Sequence, residues 1–528
     1  MPPLIATLVF AIGIAGLFYL DRHNSTHTSK ALWLPVTWLL IAGSRSVSAW
    51  LGTGPRMEIL GQLPESSLLD QLVAGTLVLS GVIVLIRRRR DVTGLLKASW
   101  PIVLYFSFCL VSLLWSDFPG WGFKRWVRGL GDLVMVLIVV TDAQPTAALR
   151  RLFSRPGFVL LPASILLIKY YPEVGRGFSA WGGDAIFNIG VTTNKNALGC
   201  LALVVALGTL WQVIELLRDK EQPNRTRRLL AQRTLLAFGI ELLFTAHSAT
   251  SGASFALGAG VMVATALPFF RVRPAAVHAL VLVILLASGL TILVGAKAEV
   301  VKAMGRNEDL TGRTEIWEIV IPMVNPIGGA GFETFWLGPR VARVFAMVQG
   351  GRGLSAANEA HNGYIEVYLN LGCLGVGFIA LILGHGYRKA VSAFRRDSAL
   401  GALLVSYVLT AATYNIGEAG FRMLSLSWFF LLLSVLSASR AIRVGKTPSK
   451  SGGGTRRPSP GNSDVLDLNL TWVGAVASSD SEDNIPITGT SEHFRRESRV
   501  GISERVEDAG AYPPLRSTGS DTRLRSPS

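Results

Sequence analysis

The sequence predicts an all-α, polytopic integral membrane protein with about 13 transmembrane helices (12–13), a large folded extracytoplasmic loop and a disordered C-terminal tail. Half of the 528 residues are hydrophobic, and the mean hydropathy is +0.42. Only 16% of the residues are charged, against about 25% in soluble domains. Apolar segments recur along the chain, and clusters of Lys and Arg separate them. These features are typical of a chain that crosses a membrane many times.

The apolar segments approach the roughly 20 residues that a helix needs to cross the hydrocarbon core. The second segment is interrupted by Ser44, Arg45 and Ser46, and the eighth is short, so the count falls to about 12 if one of them does not cross. The predicted segments are residues 4–20, 31–50, 68–86, 99–115, 127–141, 157–168, 197–217, 234–244, 252–270, 276–295, 364–384, 400–414 and 423–441.

Arginine clusters set the predicted orientation. Four arginines at positions 87–90 end the third segment, and such clusters favour the cytoplasmic side. Alternation from this point predicts four regions: transmembrane helices over residues 1–295, an extracytoplasmic catalytic loop over 296–362, transmembrane helices over 363–445 and a cytoplasmic tail over 446–528. The tail is rich in Ser, Gly, Pro and charged residues, so it has too few apolar side chains to bury a core.

Composition excludes several classes of function. The net charge of +16 is interpreted as basic cytoplasmic loops, because no nucleic-acid-reading motif is present. Cys109, Cys200 and Cys373 lie in apolar segments and are interpreted as small buried side chains. The outer loops lack paired-carboxylate motifs and His or Cys pairs at ligand spacing. We therefore expect no metal and no cofactor.

Basic residues on the predicted outer side are unusual, since outer loops are normally poor in Lys and Arg. They are interpreted either as a site for a multiply charged anion or as solvated surface and lipid-headgroup contacts. Glu418 and Arg422 form a further polar pair on this side. The basic residues in question are Lys124, Arg125, Arg176 and Lys195.

Arg313 is the strongest candidate for binding an anion. Thr314 can cap a helix that begins at Glu315 and ends before Pro326. Arg313 would then lie beside the helix N-terminus, where free N–H groups favour phosphate and a guanidinium adds bidentate hydrogen bonds. In the alternative, Arg313 pairs with Glu315 or Glu318. Three glycines nearby, Gly328, Gly329 and Gly331, suit either a diphosphate cradle or a tight turn.

His361 is the candidate general base. It is the only histidine in the central loop and lies at the start of the next apolar segment. A neutral imidazole near pH 7 can take a proton from an attacking hydroxyl. The alternative is a structural histidine. His247, also near the outer face, is interpreted as structural.

Several motifs together carry a family resemblance. His361-Asn362 is followed by nine residues and then by Gly372-Cys-Leu-Gly375, and Gly312-Arg-x-x-x-Trp317 and Asn325-Pro-x-Gly-x-x-Gly331 precede them. With Gly190-Val-Thr-Thr-Asn-Lys-Asn-Ala-Leu-Gly199, these segments resemble the O-antigen ligase and polymerase superfamily. The resemblance covers roughly residues 33–437 and is greatest to exopolysaccharide polymerases of the succinoglycan type.

The resemblance implies an inverting, metal-independent glycosyltransferase on the outer face of the bacterial inner membrane. Its donor would be a glycan on undecaprenyl diphosphate. Its further partners would be a glycan acceptor, membrane lipids and components of polysaccharide export. Carried onto this chain, His361 would be the base. The diphosphate binders would be Arg313, Arg125 and Arg176, with Lys124 or Lys195 as further candidates.

Two alternatives stay open at the level of sequence. The motifs do not separate a polymerase from a ligase that transfers the glycan to a lipid A core or a protein. A polysaccharide exporter or flippase would also have many helices, but we find no repeated halves and no paired broken helices. A folded outer loop that carries Arg and His would also be unnecessary for transport.

Overall fold

A computed structural model describes residues 1–444, except 23–27, 54–66, 179–185, 274, 284–285, 287–310 and 348–358. The side chains at positions 271, 311–315, 345 and 444 are also outside the description. The predicted tail over residues 446–528 therefore lies outside the described residues.

The first half of the chain is helical with one small hairpin. The helices are α1 (Pro3–Leu20), α2 (Trp33–Ala42), α3 (Val47–Trp50), α4 (Leu68–Arg87), α5 (Arg89–Ala98), α6 (Trp100–Val111), α7 (Pro119–Val140), α8 (Pro145–Tyr170) and α9 (Pro172–Gly175). Strands β1 (Arg176–Phe178) and β2 (Ile186–Asn188) pair antiparallel, with Gly177 opposite Phe187.

The second half is also helical. It contains α10 (Lys195–Arg218), α11 (Arg225–Thr245), α12 (Ala249–Ala266), α13 (Pro268–Val272), α14 (Thr311–Val320), α15 (Pro339–Met347), α16 (Gly363–Phe394), α17 (Ser398–Gly417) and α18 (Leu426–Val444). Residues 276–283 are helical as well. The prediction of an all-α multi-pass membrane protein is confirmed.

Among the described residues, fewer helices are long and apolar enough to span a membrane than the sequence predicted, and the tenth predicted segment, 276–295, is only partly described. Eight helices among the described residues are long and apolar enough to cross a membrane, or nine if α5 and the following helix form one bent span. Every predicted segment overlaps a helix. The second segment, however, breaks at Gly43 into α2 and α3, and Arg45 in the break donates to the carbonyls of Thr192 and Gly190. Helix α7 has 22 residues but carries Lys124, Arg125, Arg128 and Asp132.

An aromatic cluster joins the buried helices. The rings of Phe153, Tyr407 and Phe430 stack with centroids 5.3–5.7 Å apart. The hydroxyl of Tyr407 donates to the carbonyl of Val204 at 2.7 Å. These contacts bring α8, α10, α17 and α18 together. Cys109 and Cys200 are buried as predicted, whereas Cys373 is exposed, so that part of the expectation was wrong.

Helix α16 is broken at Gly372, and the break holds the loop that the sequence predicts to be the outer loop. Gly372 has φ +64°, and a Cβ there would lie 2.2 Å from the carbonyl oxygen of Ile327. The N–H of Cys373 donates to Pro326 O at 2.8 Å, and those of Ala330 and Gly331 donate to α16 carbonyls at 3.0 and 2.8 Å. The Asn-Pro-x-Gly-x-x-Gly loop thus satisfies backbone groups that the break leaves open.

The described part of the outer loop has a small core of its own. Apolar side chains of α14, α15 and the intervening loop are buried together, among them Ile316, Val320, Phe335 and Val344. The indole of Trp317 donates to the carbonyl of Ala360 at 2.8 Å. This bond fixes α14 beside the residue that precedes His361.

Candidate active site

His361 lies in a left-handed turn immediately before α16. Its φ is +48°, an uncommon conformation for a residue other than glycine. Asn362 caps α16, since its side-chain oxygen accepts from the N–H groups of Tyr364 and Ile365 at 2.9 and 3.1 Å. Its amide donates to the carbonyl of Ile416 at the end of α17. Asn362 therefore caps α16, and the turn in the backbone immediately before it positions the imidazole of His361.

Two carboxylates flank the imidazole. His361 Nδ1 lies 3.1 Å from Glu359 Oε1 and 3.8 Å from Glu418 Oε2, although it makes no well-aligned hydrogen bond. Glu418 accepts a hydrogen bond from the amide of Asn196 at 2.9 Å. Burial lowers the pKa of His361, but Glu359 and Glu418 outweigh it and raise that pKa to about 9. The two carboxylates therefore favour the protonated imidazole, whereas a neutral imidazole near pH 7 was expected from the sequence.

Arg422 lies in the connection between α17 and α18 and completes the charged cluster. Its Nη1 is 3.0 Å from Glu359 Oε2, and its Nε is 3.8 Å from Glu333 Oε2. Burial lowers the pKa of Arg422, but Glu333, Glu366 and Glu359 raise it overall. Burial raises the pKa of Glu359, but His361 and Arg422 lower it overall. Both groups are therefore ionised at neutral pH.

A buried aspartate holds the connection that carries Arg422. Asp132 on α7 is fully buried and accepts from the indole of Trp38 at 2.8 Å and from the N–H of Leu424 at 2.9 Å. The N–H of Met423 donates to Glu333 Oε1 at 3.3 Å. The backbone after Arg422 is thus fixed from two sides, which limits where the guanidinium can move.

Glu366 holds the other side of the site. It is 2% exposed and accepts from the indole of Trp336 at 2.9 Å and from the N–H of Ala360 at 3.0 Å. The amide of Asn370 donates to it at 3.3 Å. These bonds occupy the carboxylate and position the backbone next to His361.

A polar cavity of about 240 Å³ lies against the cluster. Its lining includes Ser44, Thr192, Asn196, Glu359, Glu418 and Arg422. His361 contacts two of these lining carboxylates, and its own side chain is 28% exposed. Hydroxyl, amide and charged groups in such a cavity suit a ligand with many hydroxyls and a negative charge.

Arg125, predicted to bind diphosphate, joins the cluster through Glu333. It donates to the carbonyl oxygen of Glu333, whose carboxylate lies next to Arg422. Arg313 lies in the first turn of α14, which begins at Thr311. The expectation of a helix that starts at Glu315 after a Thr314 cap was therefore wrong, and the side chain of Arg313 is outside the description.

The other predicted basic residues lie apart from this cluster. Lys124 stands over the ring of Trp121 at 5.0 Å, and Arg176 donates to Ile168 O at 3.2 Å. Neither contacts His361 or Arg422 in the part of the chain that the structure describes. Lys195 begins α10 between the lining residues Asn194 and Asn196.

The loop glycines serve as a turn and not as a diphosphate cradle. Asn325 Oδ1 accepts from the N–H groups of Ile327 and Gly328, and the N–H of Gly329 donates to Asn325 O. The N–H of Gly331 is bonded to α16, as described above. His247, exposed after α11, is not in the cavity lining, and its structural interpretation stays a prediction.

Sequence reasoning missed two members of the charged cluster, Glu333 and Glu359, although it singled out Glu418 and Arg422. Glu418 and Arg422 stood out as charged residues between apolar segments, a pattern that often indicates function. Glu333 and Glu359 gave no comparable signal, because each lies in a loop that already contains many polar residues. Only the folded chain brings them to Arg422.

Glu359, His361 and Glu418 could also hold a metal ion, since one ligand atom from each lies within 4.8 Å of the others. The sequence did not predict this group, because its members lack ligand spacing. A ligating imidazole must be deprotonated, whereas Glu359 and Glu418 raise the pKa of His361 and Glu359 is already paired with Arg422. The cluster can therefore take a cation only after His361 loses its proton.

Comparisons with known proteins agree with the motifs. The O-antigen ligase family matches residues 234–380, a span that runs from α11 into α16 and includes Arg313, Glu359 and His361. The "Exopolysaccharide production protein ExoQ" of Rhizobium meliloti (strain 1021) is 24% identical over 309 residues, which are 56% of this chain and 66% of that protein. The chain therefore spans a little under two thirds of that relative's length. The chain is therefore similar to the O-antigen ligase family over residues 234–380 and to an exopolysaccharide production protein over 309 residues, as the motifs led us to expect.

Proposed function

We propose that the chain is a membrane glycosyltransferase that polymerises glycan repeats carried on undecaprenyl diphosphate, at the outer face of the bacterial inner membrane. The observation that carries this proposal is the cluster of His361, Glu359, Glu418 and Arg422 beside a polar cavity. The family match and the name of the exopolysaccharide relative support the same class of substrate.

Arg422 is the cation we assign to the diphosphate, with Arg313 and Arg125 as further binders. A diphosphate oxygen that enters the cavity would compete with Glu359 for the guanidinium of Arg422. Two nitrogens of the Arg422 guanidinium could then form a bidentate pair of hydrogen bonds with the phosphate oxygens. Fixed cations at a leaving group stabilise the charge that develops as the glycosidic bond breaks. Arg176, Lys124 and Lys195 stay as outer candidates that would meet the donor's remaining phosphate or sugar groups.

His361 is assigned as the general base. Its Nδ1 faces Glu359 and Glu418, so Nε2 is the nitrogen that can accept the proton of the acceptor hydroxyl. The acceptor oxygen then attacks the anomeric carbon as the bond to the diphosphate breaks, and undecaprenyl diphosphate leaves with its electron pair. A single displacement of this kind inverts the configuration. With a pKa of about 9, about one imidazole in a hundred is neutral at pH 7.

The second candidate is a ligase, because the family that matches residues 234–380 is described as O-antigen ligase. The two activities share the donor chemistry and differ in the acceptor. A polymerase uses the non-reducing end of another lipid-linked glycan, whereas a ligase uses a lipid A core or a protein. The cavity described above accommodates a hydroxyl acceptor in both cases.

Reconstitution in nanodiscs with a synthetic oligosaccharide on undecaprenyl diphosphate tests the proposal. A ladder of longer glycans on the lipid is expected, and it should form equally well in EDTA. Transfer only to an added lipid A core would instead support the ligase. Movement of the donor across a bilayer without a new glycosidic bond would contradict both. His361→Gln should abolish product, and His247→Gln serves as its control.

A further inference from the structure

Helix α5 turns sharply away from the helix that follows it. The two helices, Arg89–Ala98 and Trp100–Trp115, meet at 89°. If the second helix crosses the bilayer, α5 lies in the plane of the membrane surface. The corner is held firmly, since Ser99 Oγ lies 2.8 Å from Ser439 Oγ and His385 Nε2 lies 2.9 Å from Ala98 O. The orientation of α5 is therefore fixed by contacts with α16 and α18.

The two faces of α5 differ strongly. Leu95 is 2% exposed, and Val92 and Leu96 pack beside it against the core. Arg89, Arg90, Thr93 and Lys97 are exposed on the opposite side. A helix with one apolar and one basic face is typical of segments that lie in a membrane interface.

The basic face borders an open, shallow cavity of about 490 Å³, lined by Arg89, Arg90, Thr93, Gly94 and Lys97. The guanidinium of Arg443 lies directly against Gly94, since a Cβ at Gly94 would be 1.9 Å from Arg443 Nη1. The guanidinium of Arg443 thus adds a fourth cation next to the cavity. No carboxylate lines it, and within the described ranges none of these basic side chains forms a salt bridge.

We propose that this cavity binds the phosphate headgroup of an anionic phospholipid. The cations supply the charge complementarity and hydrogen-bond donors for the phosphate oxygens. The occupant is a lipid because exposed apolar side chains flank the basic face at both ends: Ile86 is 64% exposed and Trp100 is 48% exposed. They can contact acyl chains while the headgroup lies against α5. The proposal does not depend on the proposed catalytic activity.

Lipid retention by the purified full-length protein tests this inference. Native mass spectrometry would compare phosphatidylglycerol with phosphatidylcholine for the wild type and for the triple variant Arg89→Gln, Arg90→Gln, Lys97→Gln. Each basic residue near an anionic surface contributes about fivefold in affinity, so we expect about a 100-fold loss for phosphatidylglycerol. Binding of phosphatidylcholine should not change.

A control variant removes the same number of positive charges from other exposed positions of the protein. Lys220, Arg233 and Arg395 are exposed, and their simultaneous replacement by Gln should leave phosphatidylglycerol retention unchanged. Equal losses in the two triple variants would show a general charge effect and overturn the site. Displacement of the lipid by inorganic phosphate at equal concentration would also overturn it, because it would indicate a free-phosphate site. An unchanged thermal midpoint in phosphatidylcholine verifies that the variants fold.

Discussion

Glu359 connects His361 to Arg422: one carboxylate oxygen lies 3.1 Å from the imidazole Nδ1, and the other lies 3.0 Å from the guanidinium Nη1. The proposed base and the proposed leaving-group cation therefore share one anion. A diphosphate that binds Arg422 would weaken the second contact and change the charge that His361 experiences. In this proposal, donor binding and the protonation of the base are coupled through Glu359.

The pH dependence of turnover follows from the pKa of His361, which Glu359 and Glu418 raise to about 9 against the effect of burial. Only the neutral imidazole accepts a proton. Single-turnover rates should therefore rise about tenfold per pH unit from pH 6 and level off near 9. Transfer assays across this range measure the profile, and a rate that is flat from pH 6 to 9 would remove His361 as base.

Glu359→Gln should shift that profile. The substitution keeps the shape of the side chain but removes a negative charge beside Nδ1, so the pKa of His361 should fall and the plateau should begin at lower pH. Glu318→Gln, a change on helix α14 within the same outer loop, serves as the control. If the profile of Glu359→Gln coincides with that of the wild type, the carboxylate does not set the pKa of the base.

Arg422→Gln should slow transfer by about 100- to 1000-fold, the usual cost of removing a donor that stabilises developing charge. It also leaves Glu333 and Glu359 without their cation. Arg422→Lys keeps the charge but loses the bidentate geometry, so it should recover only part of the rate. Arg343→Gln, an exposed arginine in α15, is the control. A rate for Arg422→Gln close to that of Arg343→Gln would exclude the assigned role.

Arg313 allows a separate test of donor binding. Because a guanidinium binds phosphate with a paired set of N–H groups, Arg313→Lys should raise the donor concentration needed for half-maximal rate. Arg313→Ala should raise it further. Titration of the lipid-linked donor at fixed acceptor measures both. Equal half-saturation by Arg313→Ala and the wild type would show that this residue does not touch the donor.

The features that the sequence predicts are local along the chain, whereas the features it does not predict depend on contacts between distant segments. Helices could be predicted because apolar runs and basic clusters are local features, and segment 68–86 matches α4 within a residue. His361 could be singled out by its position before a helix. The approach of Glu333 and Glu359 to Arg422 depends on how three distant connections meet, and no local pattern encodes it. The raised pKa of His361 follows from those same long-range contacts, so it was not predicted either.

The broken helix gives a final prediction that concerns stability. Gly372→Ala places a Cβ 2.2 Å from Ile327 O at a φ of +64°. At φ +64° and ψ −164°, a region essentially restricted to glycine, an alanine costs about 1–3 kcal/mol before any clash is counted, and the contact with backbone cannot be relieved by rotating a side chain. The loop at 325–331 would have to move, and its bonds to Cys373 and to the carbonyls of Leu369 and Asn370 would lengthen.

Thermal unfolding in detergent should therefore show a clearly lower midpoint for Gly372→Ala than for the wild type, together with weaker transfer because His361 immediately precedes the same helix. Gly377→Ala is the matched control: it lies on the same helix, and its added Cβ meets no atom within 4 Å. Since alanine favours a helix over glycine by about 1 kcal/mol, that control should be neutral or stabilising. Equal midpoints for the two variants would mean that the break at Gly372 does not hold the outer loop.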